Sequence, residues 1–247
     1  MHRSLIPCSL LALLALAPAT ESAEPPRLVL QITVDGLRAD LIHRYADNFG
    51  KGGFRYLLEN GTHFTNAHYQ HANTETIVGH TTLATGATPA VHGMVGNVWY
   101  HADSGEVGYN IEDSDAPLLP TRSESQAGAQ VDPAQLRATS NGRSPVAILS
   151  PTYSDTLRVS GSGDAKVFAV SGKDRSAVAM AGKSGTAYWY STDNGDFQTS
   201  AYYTRSYPDW VAAWNRERKA EGLAGMSWEL PMPRDKYLFG NADDRTY

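Results

Sequence analysis

Three short segments of this 247-residue sequence hold side chains whose types and spacing suit chemistry on an anion. The first is Asp35-Gly36, at the end of the apolar run 28–34. In open α/β sheets ligands bind beyond the carboxyl ends of the strands, and a carboxylate there can hold a hard or borderline cation. The alternative is an aspartate that caps a helix starting near Leu37. The second segment is Asn73-Thr-Glu-Thr76-Ile-Val-Gly-His80, which puts Thr76 at the start of a helix. The free amides and dipole of a helix N-terminus favour an alkoxide or a phosphoryl oxygen. A threonine hydroxyl is a weak nucleophile until its pKa is lowered, and metal coordination is one route. The alternative is that Thr74 or Thr76 is only an N-cap. The third is Ser171-Gly-Lys173-Asp174-Arg175, directly after a predicted strand. Two cations flanking one residue can clamp the non-bridging oxygens of a phosphate, or form a solvated charge cluster around a turn.

Positioning these groups requires elements that the residue pattern partly supplies. Residues 28–34 and 166–171 read as buried strands. Residues 38–45 and 53–59 have helical spacing, with Gly61 as the stop for the second. Residues 62–65 read as a short strand and 78–84 as a helix. The stretch 112–145 is rich in Ser, Asp, Pro, Gln and Gly and reads as a surface loop or insertion. A helix is expected over 151–159. Residues 186–190 and 197–203 flank Asp193-Asn-Gly-Asp196, a strong hairpin signal. A final helix over 209–219 carries Trp210 and Trp214 on one face as core residues. Strands alternating with helices indicate an α/β fold.

The formal net charge of −5 provides no basic field for nucleic acid. Any phosphate site must therefore be local. Residues 1–23 have the layout of a secretory signal peptide: a charged start, an apolar run from Leu5 to Leu16, then small residues ending at Ala19 or Ala23. The remaining residues, 24–247, are expected to be the N-terminal part of a catalytic domain. The expectation is a periplasmic or secreted protein without a stable membrane anchor after cleavage. Cys8 is the only cysteine and lies in the leader, so no disulfide is expected.

Taken together, the motifs are distinctive. Val34-Asp35-Gly36-Leu-Arg-Ala-Asp40 resembles the opening metal-binding motif of the alkaline phosphatase superfamily. Thr76-x-x-Gly79-His80-Thr81, His92-Gly93 and Gly96-Asn97…Trp99-Tyr100 resemble its phosphodiesterase and phosphatase branches. Lys173-Asp174-Arg175 is similar to the PafA-like alkaline phosphatases, which use a threonine nucleophile on phosphate monoesters. The resemblance implies an alkaline-phosphatase-like sandwich with a largely parallel central sheet, incomplete at the C-terminus. It implies Asp35 as a zinc ligand and Thr76 as nucleophile and second ligand. It further implies Asn97, Lys173 and Arg175 as phosphate contacts, and two zinc ions in the complete site. Small phosphate esters would be hydrolysed through a phosphothreonine. His80 and His92 are not ligands in the family pattern and read as structural.

The sequence also departs from the family. Every histidine lies at or before His101 and no Asp-His pair occurs, so most of the family's ligands are absent from this chain. The expectation is a truncated form, inactive or nearly so, that binds zinc weakly. Two alternatives stay open: a nucleotide pyrophosphatase or phosphodiesterase, which does not need Lys173 and Arg175, and a non-catalytic fragment. A sulfatase is disfavoured, because no Cys-x-Pro-x-Arg or Ser-x-Pro-x-Arg segment occurs.

Overall fold

The computed structural model describes residues 26–121, 132–160, 164–223, 225–227 and 229–237. The predicted leader, with Cys8, lies outside them. Among the described residues no helix is long and apolar enough to cross a membrane. The chain divides into two units, Met1–Val34 and Asp35–Tyr247.

In the first unit, residues 28–34 do not form the expected buried strand, and Leu28, Leu30 and Ile32 are exposed. A strand buried on both faces needs hydrogen-bonding neighbours, and the described residues of this unit offer none.

The second unit begins with two short helices, α1 (Ala39–Arg44) and α2 (Gly53–Asn60), the latter closed by Gly61 as expected. The strand expected over 62–65 is irregular, with Phe64 exposed. Helix α3 (Thr76–Thr85) is buried along most of its length and ends on Gly86 in the left-handed conformation. A single turn, α4 (Pro89–His92), follows with Pro at its start. Then comes an antiparallel hairpin that the residue pattern did not reveal, β1 (Val98–His101) and β2 (Glu106–Tyr109).

After α5 (Tyr153–Ser160) the chain forms a strand–helix–strand unit: β3 (Phe168–Ser171), α6 (Asp174–Ala181) and β4 (Thr186–Tyr190). β3 and β4 are parallel, which requires such a crossover. β5 (Phe197–Gln198) returns antiparallel to β4 through the Asn194-Gly195 turn, where Gly195 has a φ of 75°. Among the described residues the sheet order is β3-β4-β5, with β3 at an edge. Phe168 and Val170, alternate residues on one face of β3, are exposed, and the expectation of a fully buried strand fails there.

The core lies around α6, which packs against α3 and against β3 and β4. It joins Ile77, Val78, Met94, Ile111, Ile148, Val178 and Trp189. Ala177, Ala179 and Ala181 on α6 are fully buried, and their small side chains permit close approach of the two helices. On α7 (Asp209–Glu217) the buried residue is Val211, not the expected tryptophans. Trp210 and Trp214 are 49% and 37% exposed and lie edge-on against Tyr188 and Phe197. They cover the hairpin's face instead of filling the core.

Asp155 ties α5 to the α6–β4 turn. Its Oδ2 accepts the Thr152 N–H at 2.9 Å while its own N–H donates to Thr152 Oγ1 at 3.1 Å, a reciprocal capping arrangement. Its Oδ1 accepts N–H groups from Lys183 at 2.9 Å and Ser184 at 2.8 Å. Burial pushes this carboxyl up, but the hydrogen bonds outweigh it and hold it below the ordinary value. A folded-state pKa below the unfolded one, about 3.9, gives stability that is complete above that value. It is lost as pH falls through the folded pKa. Asp155→Ala should therefore cost about 1–3 kcal/mol at neutral pH in urea denaturation, from N–H groups left unpaired. Asp155→Asn should flatten part of the decline in stability below about pH 4.

Candidate active site

Thr76 is the first residue of α3, preceded by Glu75 at the N-cap, whose own side chain makes no capping bond. Neither Thr74 nor Thr76 is thus a cap. The Thr76 hydroxyl instead donates to Asp35 Oδ2 at 3.1 Å, across 41 residues of sequence. Asp35 does not cap α1 either, because Arg38 occupies that position without a side-chain bond. Gly36, with a φ of 75°, turns the chain just after the carboxylate.

Lys173 stands at the N-cap of α6 and donates to the same Asp35 Oδ2 at 3.4 Å. Its ammonium is also 4.0 Å from Asp132 Oδ2. Asn97 joins the group at the start of α3: its Oδ1 accepts the Ile77 N–H at 3.2 Å. Its Nδ2 has no hydrogen bond among the described residues. The Asn97 N–H in turn donates to Glu75 Oε2 at 2.5 Å, which fixes the loop against the helix start. Asp35, Thr76 and Lys173 are therefore in direct contact, and Asn97 sits one residue along α3.

Arg175 is reached indirectly. Its side chain is only 3% exposed, and its guanidinium donates to Asp132 Oδ2 at 2.7 Å and to Tyr109 Oη at 3.3 Å. Its Nε is buried without a partner among the described residues. Beneath it lies a polar cluster absent from the sequence reading. Tyr109 donates to Asp174 Oδ1 at 2.6 Å, Arg143 Nε donates to Asp174 Oδ2 at 2.8 Å, and the Arg175 N–H donates to Asp174 at 2.7 Å. Burial and the Asp174 charge push the Tyr109 phenol far up, so it acts as a neutral donor. The stretch read as a surface loop supplies Arg143 and Asp132 here, and Arg143 and Ser144 are buried. Asp174 stood inside a motif already singled out, whereas Tyr109, Arg143 and Asp132 gave no local signal.

His80 and His92 are both bonded into the scaffold. His80 Nδ1 lies 2.7 Å from the Thr76 carbonyl, and burial holds its pKa below the ordinary value. His92 is fully buried and accepts the Met94 N–H through Nδ1, so Nε2 carries the proton and donates to Thr82 Oγ1 at 3.0 Å. Thr82 then donates to His71 Nε2 at 3.0 Å, and His71 Nδ1 donates to the Asn73 carbonyl at 2.7 Å. This directional chain ties the loop before Thr76 back to α3 and α4.

A family model, type I phosphodiesterase / nucleotide pyrophosphatase, matches residues 29–236. The chain belongs to this family. It is 32% identical over 229 residues to alkaline phosphatase PafA of Elizabethkingia meningoseptica, covering 92% of this chain and 39% of that one. Alkaline phosphatase PhoV of Synechococcus elongatus is 30% identical, at 90% and 38% coverage. The chain thus spans about two fifths of the length of these curated relatives. The crystal structure of wild-type PafA superposes with a TM-score of 0.68 at 32% identity, over 79% of this chain and 35% of that chain. The fold is therefore of the alkaline phosphatase type, and the described part holds a small α/β portion of it, with one parallel strand pair.

The Asp35 carboxylate and Thr76 hydroxyl oxygens, 3.1 Å apart, are spaced to share one cation. At zinc–oxygen distances of about 2.0 Å, two tetrahedral ligands lie roughly 3.3 Å apart. The donors suit a cation, but among the described residues no group of three His, Cys, Asp or Glu could hold one.

The buried network makes a stability prediction. Asp174→Asn keeps the volume but leaves the Arg143 guanidinium buried without its counter-charge. It should cost about 3–5 kcal/mol in chemical denaturation, well beyond an ordinary surface substitution.

Proposed function

We propose that this chain carries the nucleophile side of a zinc-dependent phosphate monoester hydrolase that acts through a phosphothreonine at Thr76. The observation that carries the reading is the Thr76 hydroxyl at a helix N-terminus, 3.1 Å from a carboxylate that also lies 3.4 Å from a lysine. A second structure similar to this chain supports it. It is a PafA variant altered at a threonine, an asparagine, a lysine and an arginine, and it superposes with a TM-score of 0.69. Thr76, Asn97, Lys173 and Arg175 are the same residue types, with the same intervals within the first pair and within the second.

In this mechanism Thr76 Oγ gives up its proton to solvent and attacks phosphorus in line, forming the O–P bond while the bond to the leaving group breaks and the departing oxygen takes a proton from solvent. Water then cleaves the phosphothreonine, releasing inorganic phosphate and restoring the hydroxyl. The α3 amides, Asn97 Nδ2 and the Lys173 ammonium face the charge carried by the transferring group. Zinc, held in part by Asp35 and Thr76, would polarise the phosphoryl oxygens and lower the hydroxyl pKa. Two oxygen donors are fewer than the roughly four ligands zinc takes, so further donors must come from outside the described residues. The leader over residues 1–23 supports export to the periplasm or beyond. The matched family model favours a second reading, a nucleotide pyrophosphatase or phosphodiesterase.

Aryl monoester and diester substrates with one leaving group separate the two readings. The purified 247-residue chain should retain well under an equimolar amount of zinc after dialysis and turn over slowly. In a protein with the full ligand set, Thr76→Ala should lower monoester kcat about a thousandfold or more. Lys173→Met should lower monoester kcat/KM by about a hundredfold and diester kcat/KM far less. Equal losses on both esters favour the diesterase.

A further inference from the structure

Asp132 is not assigned by the family resemblance, yet its carboxylate touches both cations of the site. Its Oδ2 lies 2.7 Å from an Arg175 guanidinium nitrogen and 4.0 Å from Lys173 Nζ. Its Oδ1 accepts the Ala134 N–H at 2.9 Å, and its carbonyl accepts the Leu136 N–H at 3.2 Å. The local turn therefore holds the residue with one oxygen on backbone and the other aimed between the cations. Burial pushes this carboxyl up, but the bonds from Arg175 and Ala134 and the nearby Lys173 charge prevail. It is held below its ordinary value and is ionised at neutral pH.

The position it fills is the one an anion needs. Arg175, Asp132, Lys173, Asp35 and Thr76 form a continuous line of contacts in which cationic and anionic groups alternate before the hydroxyl. Two cations meet two carboxylates, so the group has no net positive charge to offer a phosphate dianion. Among the described residues, Arg175 keeps one buried N–H at Nε without a partner, so its donors are not saturated by Asp132 and Tyr109.

We infer that Asp132 is a built-in competitor for the phosphoryl group: its carboxylate occupies the anion position between Lys173 and Arg175 and must be displaced before an ester engages both. It thereby sets how strongly the site discriminates in favour of a doubly charged monoester. The inference rests on the reading of Lys173 and Arg175 as phosphate contacts. A carboxylate that merely oriented Arg175 for substrate would have the opposite effect on affinity.

The test is calorimetric binding of inorganic phosphate to the whole 247-residue chain without added metal. The proteins compared are the wild type, Asp132→Asn, Lys173→Met and the double variant. Asparagine keeps the acceptor for Ala134, and Asp132→Ser offers the same acceptor should the first variant fold poorly. Removing the carboxylate should tighten phosphate binding at least about tenfold, the scale of one charge-assisted hydrogen bond, and Lys173→Met should cancel the gain. Unchanged or weaker binding in Asp132→Asn, with binding still lost in Lys173→Met, overturns the competitor and leaves the phosphate site standing. Phosphate binding that ignores Lys173 in every protein, or none at all, overturns the phosphate site and the competitor together.

Discussion

A charge sealed away from solvent must be neutralised, and the carboxylate of Asp174 imposes that requirement on everything around it. It draws Arg143 in from an otherwise irregular stretch and Tyr109 in from the end of β2. It also accepts an N–H of its own helix, where the α6 dipole favours negative charge. Three segments far apart in sequence are joined at one point. The joint determines where its neighbours go. Arg175, one residue on, is directed inward onto Tyr109, while Lys173, one residue back, is left half-exposed and faces Asp35.

Helix α3 supplies the complementary half by different means. Its anchorage is mainly apolar, through Ile77 and Val78 against α6, so the helix position is set by packing with little electrostatics. Polar bonds act at its ends. Asn97 and Glu75 hold the first turn, and the His92–Thr82–His71 chain holds the loop that enters it. The hydroxyl of Thr76 thus projects from a helix whose location and whose entry are separately determined.

Much of this was legible in the residues. Gly61 and the Asn194-Gly195 turn stop and reverse the chain where backbone chemistry says they should. Of the three chemical segments, those of Thr76 and Lys173 converge from two helix starts, while Asp35 reaches them from a turn outside any strand or helix. Other features were not legible, for specific reasons. An apolar run such as 28–34 shows that a segment suits burial, not whether neighbours are there to bury it. Trp210 and Trp214 share a helix face with Val211, and only the distance to the sheet decides which is sealed. Asp132 lies in a Ser- and Gln-rich stretch and meets Arg175 across 43 residues, so no local pattern marks it. The β1–β2 hairpin turns on Asp103-Ser104-Gly105, a weaker signal than Asn-Gly.

The members of the site are not held equally firmly, and the difference bears on what each can do. Thr76 and Arg175 lie on helices packed into the core and are almost sealed from solvent. Their positions are those of the scaffold. Asp35 and Lys173, at 45% and 44% side-chain exposure, hold each other mainly through a solvent-screened pair. No sheet ladder among the described residues fixes Asp35, because the run before it forms no strand. A nucleophile gains from rigid placement, since small errors in approach are costly. A metal ligand and a cationic clamp can tolerate looser tethering, because a bound ion or phosphate supplies the missing constraint. Under the proposed mechanism, the arrangement puts rigidity on the group that would form the bond. Its looser members are those whose geometry a ligand would complete.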